Sequence, residues 1–598
     1  MKKNMSVVNK AENGKKMDGQ RITGDDNEKL EDLLSFSLEL PEEERMRAEN
    51  LHVGYEPGDR TWELIVKYHG DLLTATKGLA VAELLIAGYA IVTIEENRIT
   101  EFARLPEVEY IEMPKRLFFQ ETDGRRAICL ERISAGDSVL SGKGCLVAVL
   151  DSGIDIFSDE FRDAEGNTRI AALWDQTLEN GLPPEGFVTG RYFSKEEINR
   201  RLSARPDTGF VGGDVVPGLD TSGHGTAVAS IAAGSRIGVA SGAELVAVKL
   251  GIAKTDSFPR TTELMRGLTF AVRFALRENK PLAINLSFGN VYGDHLGGSL
   301  LERFLDNIAE IGKTVICVGS GNEAASGGHY VGMVGKEGLR AEFSVGDYEP
   351  ELNLQLWKSY YNDIRVTLIS PGGERITLPK NERGAFRYRL EDTLVLAYLG
   401  TPLPYNALQE YYFEFLPGEG TNTYLPTGIW TLEIVLLNEN EGAVWLYLPS
   451  RAVRSDETGF FLSTPEGTLT IPSGAQRVIT VGAYNSETGA YADFSGRGWQ
   501  TEERMKPDVV APGVNVIAAV AGGGYQSVTG TSFATPYATG SAALIMEWGI
   551  IRGNDAYLYG QKVKAYFIRG AKKLRGITRY PDYRVGWGAL CVDQSLPE

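Results

Sequence analysis

The sequence predicts an α/β protein: a parallel sheet with helices on both faces, a small α+β unit in front of it, and an all-β domain inserted within it. Three observations lead there. From about Cys145, near-continuous apolar strands alternate with helices: LVAVLDSG, GHGTAVASIAAGS, AELVAVKL, TELMRGLTFAVRFALREN, PLAINLSFG, SLLERFLDNIAEIG and TVICVGSGN. That alternation is the pattern of parallel strands buried on both sides. Between about Gly335 and Arg454 the helical texture stops and short strands crowd in, among them NLQLW, IRVTLISPGG, TLVLAYLG, YYFEFLPG and IWTLEIVLLN, separated by Gly, Pro and Asn turns. Such spacing predicts a β-sandwich. RVITVGAYN and KPDVVAPG then resume the earlier style, so the β-rich stretch interrupts one α/β domain.

At 598 residues with 43% apolar content, the chain is too long for one hydrophobic core and predicts several domains. Residues 1–28 are polar and rich in Gly, Lys and Asp, which predicts a disordered lead. Residues 29–120 form the front unit. There TWELIVKYHG and YAIVTIEE read as strands, and LLTATKGLAVAELLIAG between them reads as an amphipathic helix. The α/β domain then occupies 121–334 and 455–598 around an insert at 335–454.

The formal charge of -18, with no local basic stripe, repels phosphate backbones and excludes nucleic acid as a partner. MKKNMSVVNKAENGKKMDGQ lacks the apolar segment of a secretory signal, and no run of about 18 apolar residues predicts a membrane span. A cytoplasmic location is the expectation. Cys129, Cys145, Cys317 and Cys591 are far apart without a CxxC, two of them in the strand-like runs CLVAVL and VICVGS, and all four read as buried free thiols. His295 and His329 read as loop residues. Zinc spacing is absent and no acidic loop marks a calcium site, so neither a metal nor a cofactor is expected.

Three segments point to chemistry. Asp151 ends a buried strand in VAVLDSGID, His224 opens a helix in TSGHGTAVAS, and Ser532 opens another in GTSFATP. Strand carboxyl ends and helix starts are where open α/β sheets build their sites. A serine hydroxyl becomes a nucleophile when a neutral imidazole takes its proton, and a buried carboxylate holds that imidazole in the right tautomer. Asp, His and Ser supply those three roles. Taken singly, each has a structural alternative, since a strand-ending Asp before Ser-Gly forms turns and a lone GTS caps a helix.

Together, VAVLDSGID, GHGTAVASIAAG and GTSFATPYATGSAALI resemble the three signature segments of subtilisin-like serine proteases, in that family's order Asp, His, Ser. The resemblance implies further roles. VICVGSGNEAA is similar to the oxyanion-hole segment, which implies Asn322 as side-chain donor beside the Ser532 amide. INLSFG is similar to the substrate-binding strand, which implies that Ser287, Phe288 and Gly289 pair with a peptide or protein substrate beside the S1 pocket. FSGRG and KPDVVAPG match segments with structural roles. The implied activity is serine endopeptidase chemistry without a cofactor.

Spacing departs from a minimal member of that family: Asp151 to His224 is 73 positions and Asn322 to Ser532 is 210. FRDAEGNTRIAALWDQT and GRYFSKEEINRRL in the first gap resemble clostridial Csp-type subtilases, which implies a jelly-roll insert in the second gap and a role in spore germination on a cortex-hydrolase precursor. By that resemblance the location becomes the cytoplasm or the spore interior. The front unit, ending VEYIEMPKRLFFQ, resembles the family's propeptide, a ferredoxin-like βαββαβ chaperone whose tail lies in the active-site cleft as a product-like inhibitor; by the Csp-type likeness it stays attached after self-cleavage until something displaces it. The cut is expected after Gln120, with Leu117, Phe118, Phe119 and Gln120 in the S4 to S1 subsites. Two other classes compete: a catalytically silent sensor or binding protein on a protease scaffold, and a carbohydrate binder using the aromatic strands of the insert.

Overall fold

Residues 29–46, 52, 54–85, 88–114, 124–130, 139–203, 215–251, 259–380, 384–402, 407–418, 423–438, 441–499 and 505–597 are described by the computed structural model, and the chain divides into two units, Met1–Gln120 and Glu121–Glu598. The expected lead at 1–28 and the expected cleavage residues Leu117 to Gln120 lie outside the described residues.

In the front unit, alternation buries Trp62, Leu64 and Val66 of the strand Thr61–Tyr68, while Val92 and Ile94 of Tyr89–Glu95 pack on the same core. Short helices at Ile99–Ala103 and Leu72–Ala75 contribute Ile99, Phe102 and Leu72 to it. The expected helix over LLTATKGLAVAELLIAG is a correction. Among the described residues of that stretch the α-helix is confined to Leu72–Ala75, and Val81–Leu84 is a strand pairing antiparallel with Tyr89–Glu95. Ala and Leu favour helix in isolation, but pairing along a sheet edge outweighs a propensity of a few tenths of a kcal/mol per residue.

The second unit is built on an eight-stranded sheet. Its strands are β1 (Leu146–Asp151), β2 (Ile170–Asp175), β3 (Arg191–Ser194), β4 (Glu244–Lys249), β5 (Leu282–Leu286), β6 (Thr314–Gly319), β7 (Ile479–Tyr484) and β8 (Val509–Pro512). Their spatial order is β8-β7-β6-β5-β1-β4-β2-β3. All pairs are parallel except β2 with β3, a hairpin that makes the expected parallel sheet a mixed one. Every residue of β1, β5, β6 and β7 is buried.

Among the helices that cover the sheet are α1 (His224–Ala233), α2 (Thr261–Glu278), α3 (Leu300–Ala309) and α4 (Thr531–Met546). Val147 and Val149 join the core under α1 and α4, whereas Leu146, Ala148 and Leu150 join the core under α2 and α3. The period-2 alternation of one strand thus feeds both layers. Helices α1 and α4 are rich in Ala, Gly, Ser and Thr, and this lets them approach closely: a Cβ at Gly540 would lie 2.5 Å from the Ala232 carbonyl oxygen.

Between β6 and β7 the chain builds two antiparallel sheets. The six-stranded one runs 329–334, 442–447, 352–359, 408–417, 393–399, 384–390, and the five-stranded one runs 375–377, 364–369, 428–436, 339–345, 459–460. Phe343, Phe413, Phe415, Trp430 and Leu432 fill the space between them. His329 opens the first strand rather than sitting in a loop, and it is 2% exposed. Its ring and that of His295 stack on Tyr447 with centroids 4.4 and 3.9 Å away. His295 does lie in a loop but is equally buried. Gln355 adds to this junction, donating to the Val291 carbonyl and accepting from the Gly293 N–H.

Burial pushes the His329 pKa down from 6.5 to about 3, helped by neighbouring His295. An imidazole held neutral when folded and free to protonate when unfolded destabilises the fold as pH drops. Stability is therefore expected to decline as pH falls from about 6.5 towards 3, and His329→Gln is expected to flatten that decline in denaturant titrations.

The cysteines divide in two. Cys145 and Cys317 are buried free thiols, but Cys129 and Cys591 form a disulfide, with Cα atoms 5.1 Å apart across 462 positions. The expectation of four free thiols is corrected for that pair. Backbone pairing of Val592 N–H with the Ile128 carbonyl brings the two ends together. Alkylation under native conditions is expected to miss all four, unfolding to expose Cys145 and Cys317, and reduction to add Cys129 and Cys591.

Candidate active site

Asp151 is the last residue of β1, and α1 starts at His224 directly above it. His224 Nδ1 donates to Asp151 Oδ1 at 2.7 Å. The carboxylate is 1% exposed and the imidazole side chain 29% exposed, so the ring keeps one edge towards solvent. Close approach of α1 to the end of β1 depends on Gly225, where a Cβ would lie 2.1 Å from the Gly153 carbonyl oxygen. Burial acts to lower the His224 pKa, but the Asp151 charge and hydrogen bond outweigh it and hold it above the ordinary 6.5. With Nδ1 donating to the carboxylate, Nε2 is the nitrogen left to accept a proton.

Two residues the sequence reading missed hold this pair. Ser152 donates its amide to Asp151 Oδ1 at 2.7 Å, and its hydroxyl oxygen lies 3.2 Å from the same atom. Asp220 accepts from the Ser152 hydroxyl at 2.8 Å, from the Gly223 N–H at 3.0 Å, and from the Thr226 N–H and hydroxyl at 2.8 and 2.7 Å. This one carboxylate thus ties the turn after β1 to the first turn of α1. Its only signal in the sequence is an acid four positions before His224.

Ser532 is the second residue of α4, whose free N–H groups point towards the strand ends. Its hydroxyl donates to the Ser287 carbonyl at 3.2 Å, and the Ser287 hydroxyl donates to the Ser532 carbonyl at 2.9 Å. Ser287, Phe288 and Gly289 therefore follow β5 directly beside Ser532. The Phe288 and Phe533 rings flank the imidazole, with centroids 6.1 and 5.5 Å from it. Asn322 follows β6, and its Oδ1 accepts from the Thr531 N–H at 3.0 Å and the Thr531 hydroxyl at 3.1 Å. That engagement of the oxygen leaves the amide NH₂ as the donor for anything bound beside Ser532.

A cavity of about 390 Å³ adjoins Ser532, lined by Ser287, Phe288, Gly289, Gly319, Gly321, Asn322 and Thr470 among others. A larger hollow of about 530 Å³ lies beside Asp220, lined by Asp155, Asp159, Glu160 and Tyr525. Its carboxylates are engaged: Asp155 by the Gly522 N–H, Asp159 by Arg236, and Glu160 by the Tyr525 hydroxyl. Among the described residues no group of three His, Cys, Asp or Glu side chains is placed to hold a metal ion, and no helix is long and apolar enough to cross a membrane.

An α/β sheet with an Asp–His pair, a helix-start serine and an asparagine at its strand ends defines the class. The chain belongs to the subtilase family, serine proteases of the subtilisin type, whose profile matches residues 142–401 and 462–588. A second profile, the Csp protease B prodomain, matches residues 28–115. The solved CspB protease of Clostridium perfringens is similar with a TM-score of 0.72 and 34% identity, over 79% of this chain and 96% of that one. The chain is therefore a subtilase of the Csp type. Serine protease AprX of Bacillus subtilis is 36% identical over 151 residues, 22% of this chain and 32% of AprX. Subtilisin-like protease 1 of Arthroderma gypseum is 38% identical over 101 residues, 16% of this chain and 20% of that protein. These two matches span a third or less of the relatives' own lengths.

Proposed function

We propose that this chain is a serine endopeptidase that removes its own N-terminal unit and then cleaves protein substrates through an acyl-enzyme. In this reading Ser532 Oγ attacks the scissile carbonyl while His224 Nε2 takes its proton. Asp151 fixes the ring's tautomer and stabilises the imidazolium, and the oxyanion accepts from the Asn322 amide and the Ser532 N–H. His224 then hands its proton to the leaving amine, and a water deprotonated by the same ring releases the acyl group. The observation that carries this is the 2.7 Å contact between His224 and the buried Asp151, one strand away from a helix-start serine.

The silent-scaffold reading is not favoured, because Asp151, His224, Asn322 and Ser532 are all present. In the proposed enzyme the two-sheet module is a jelly-roll-like clamp, self-cleavage falls after Gln120, and the freed N-terminal unit acts as an inhibitor. The Csp-type likeness extends the proposal to a physiological substrate, a cortex-hydrolase precursor. Reaction of Ser532 with a fluorophosphonate, and sequencing of a new N-terminus at Glu121, test the enzyme and the processing step. Unmodified Ser532 in an uncut chain is the result that defeats both.

Asn322→Leu keeps the side-chain branching but removes the donor. We expect kcat to fall about 10²- to 10³-fold with little change in KM, the scale known for the equivalent donor in subtilisin, checked by peptide hydrolysis after active-site titration.

A further inference from the structure

The cavity beside Ser532 is not built by the α/β core alone. One wall comes from Ser450, Arg451 and Ala452, in the 3₁₀ turn between the module's strands 442–447 and 459–460. That turn is fastened to the core at Glu323, the residue after Asn322. The Ser450 hydroxyl donates to Glu323 Oε1 at 2.5 Å, and the Arg451 N–H reaches Oε2 at 3.5 Å. Arg454, 7% exposed, anchors the turn from behind, donating to the Pro449 carbonyl at 2.8 Å and to the Ser326 carbonyl at 2.5 Å. The Arg451 guanidinium itself is steadied by Asp456 at 2.7 Å.

We propose that this turn is a specificity-determining wall of the S1 pocket, with Ser450 engaging Glu323 and Arg451 engaging Asp456 so that the pocket selects an uncharged P1 side chain. The proposal rests on the endopeptidase reading above. Glu323 alone would present a carboxylate to a basic P1 residue. Here one of its oxygens is committed to Ser450, and a guanidinium stands in the same wall. A P1 lysine or arginine finds both carboxylates already engaged, Glu323 by Ser450 and Asp456 by Arg451, a P1 aspartate or glutamate meets Glu323, and either loses water without an uncommitted counter-ion. A P1 glutamine or leucine loses little. Core residues alone do not give this selection, because Ser450 and Arg451 are contributed by the inserted module.

The test uses the full chain after processing, with Ser532 titrated by fluorophosphonate and peptidyl-coumarin substrates that differ only at P1: Gln, Leu, Ala, Lys or Glu. The wild type is expected to favour Gln and Leu over Lys and Glu by about tenfold in kcat/KM. Arg451→Glu is expected to shift the Lys-to-Gln ratio about tenfold towards Lys. Ala452→Trp, which fills the wall without changing charge, is expected to slow Gln and Leu while sparing Ala. Preference of the wild type for Lys or Glu, or a P1 ranking unmoved by both substitutions in fully titrated protein, overturns the proposal. No labelling and no turnover with any P1 would instead remove the endopeptidase reading, and the pocket assignment with it.

Discussion

Ser532→Ala is expected to leave the chain full length, unlabelled by fluorophosphonate and slower in peptide hydrolysis by about 10⁶-fold, the scale known for subtilisin itself. The change deletes one oxygen that, among the described residues, hydrogen-bonds to the Ser287 carbonyl. Stability should therefore stay within about 1 kcal/mol of wild type, and the denaturation midpoint measured beside the rate separates lost chemistry from lost fold. The wild type is expected as two fragments, one ending near Gln120. A cut Ser532→Ala chain purified without contaminating protease would show that processing is not the chain's own work.

Asp151→Asn is expected to lower kcat about 10⁴-fold and to change the pH profile in a direction the site dictates. Burial lowers the His224 pKa and the Asp151 carboxylate raises it, with the second effect larger. The base must be neutral to accept a proton, so wild-type kcat/KM is lost as pH falls through a pKa above 6.5. Without the carboxylate, burial is opposed only by the weaker pull of the Asp220 charge, and the acid limb of the residual activity should move to lower pH. A limb that stays in place would mean that another group sets it. Ser152 and Asp220 remain to hold the turn, so the variant is expected to fold.

The sheet and the proposed reactive residues were legible because both leave strong local traces. Buried parallel strands need unbroken apolar runs, and the proton relay needs three residue types at strand ends and helix starts. What escaped was tertiary. Asp220 is one acid among many until the donors around it are seen. Val81–Leu84 has the composition of a helix and becomes a strand only through its partner at Tyr89–Glu95. Cys129 and Cys591 carry no spacing rule across 462 positions. Arg451 lies in an irregular turn, where no periodicity announces that a side chain lines a cavity formed with residues more than a hundred positions away.

The Cys129–Cys591 bond gives the protease a defence against its own kind. With that bond in place, most of the second unit becomes a covalent ring, and a nick in any surface loop between the two cysteines opens the ring without releasing a piece. The proposed cut after Gln120 would fall outside the ring and separate the front segment. Damage and maturation would then differ on a non-reducing gel: maturation sheds mass, whereas accidental clipping becomes visible only when thiols are added.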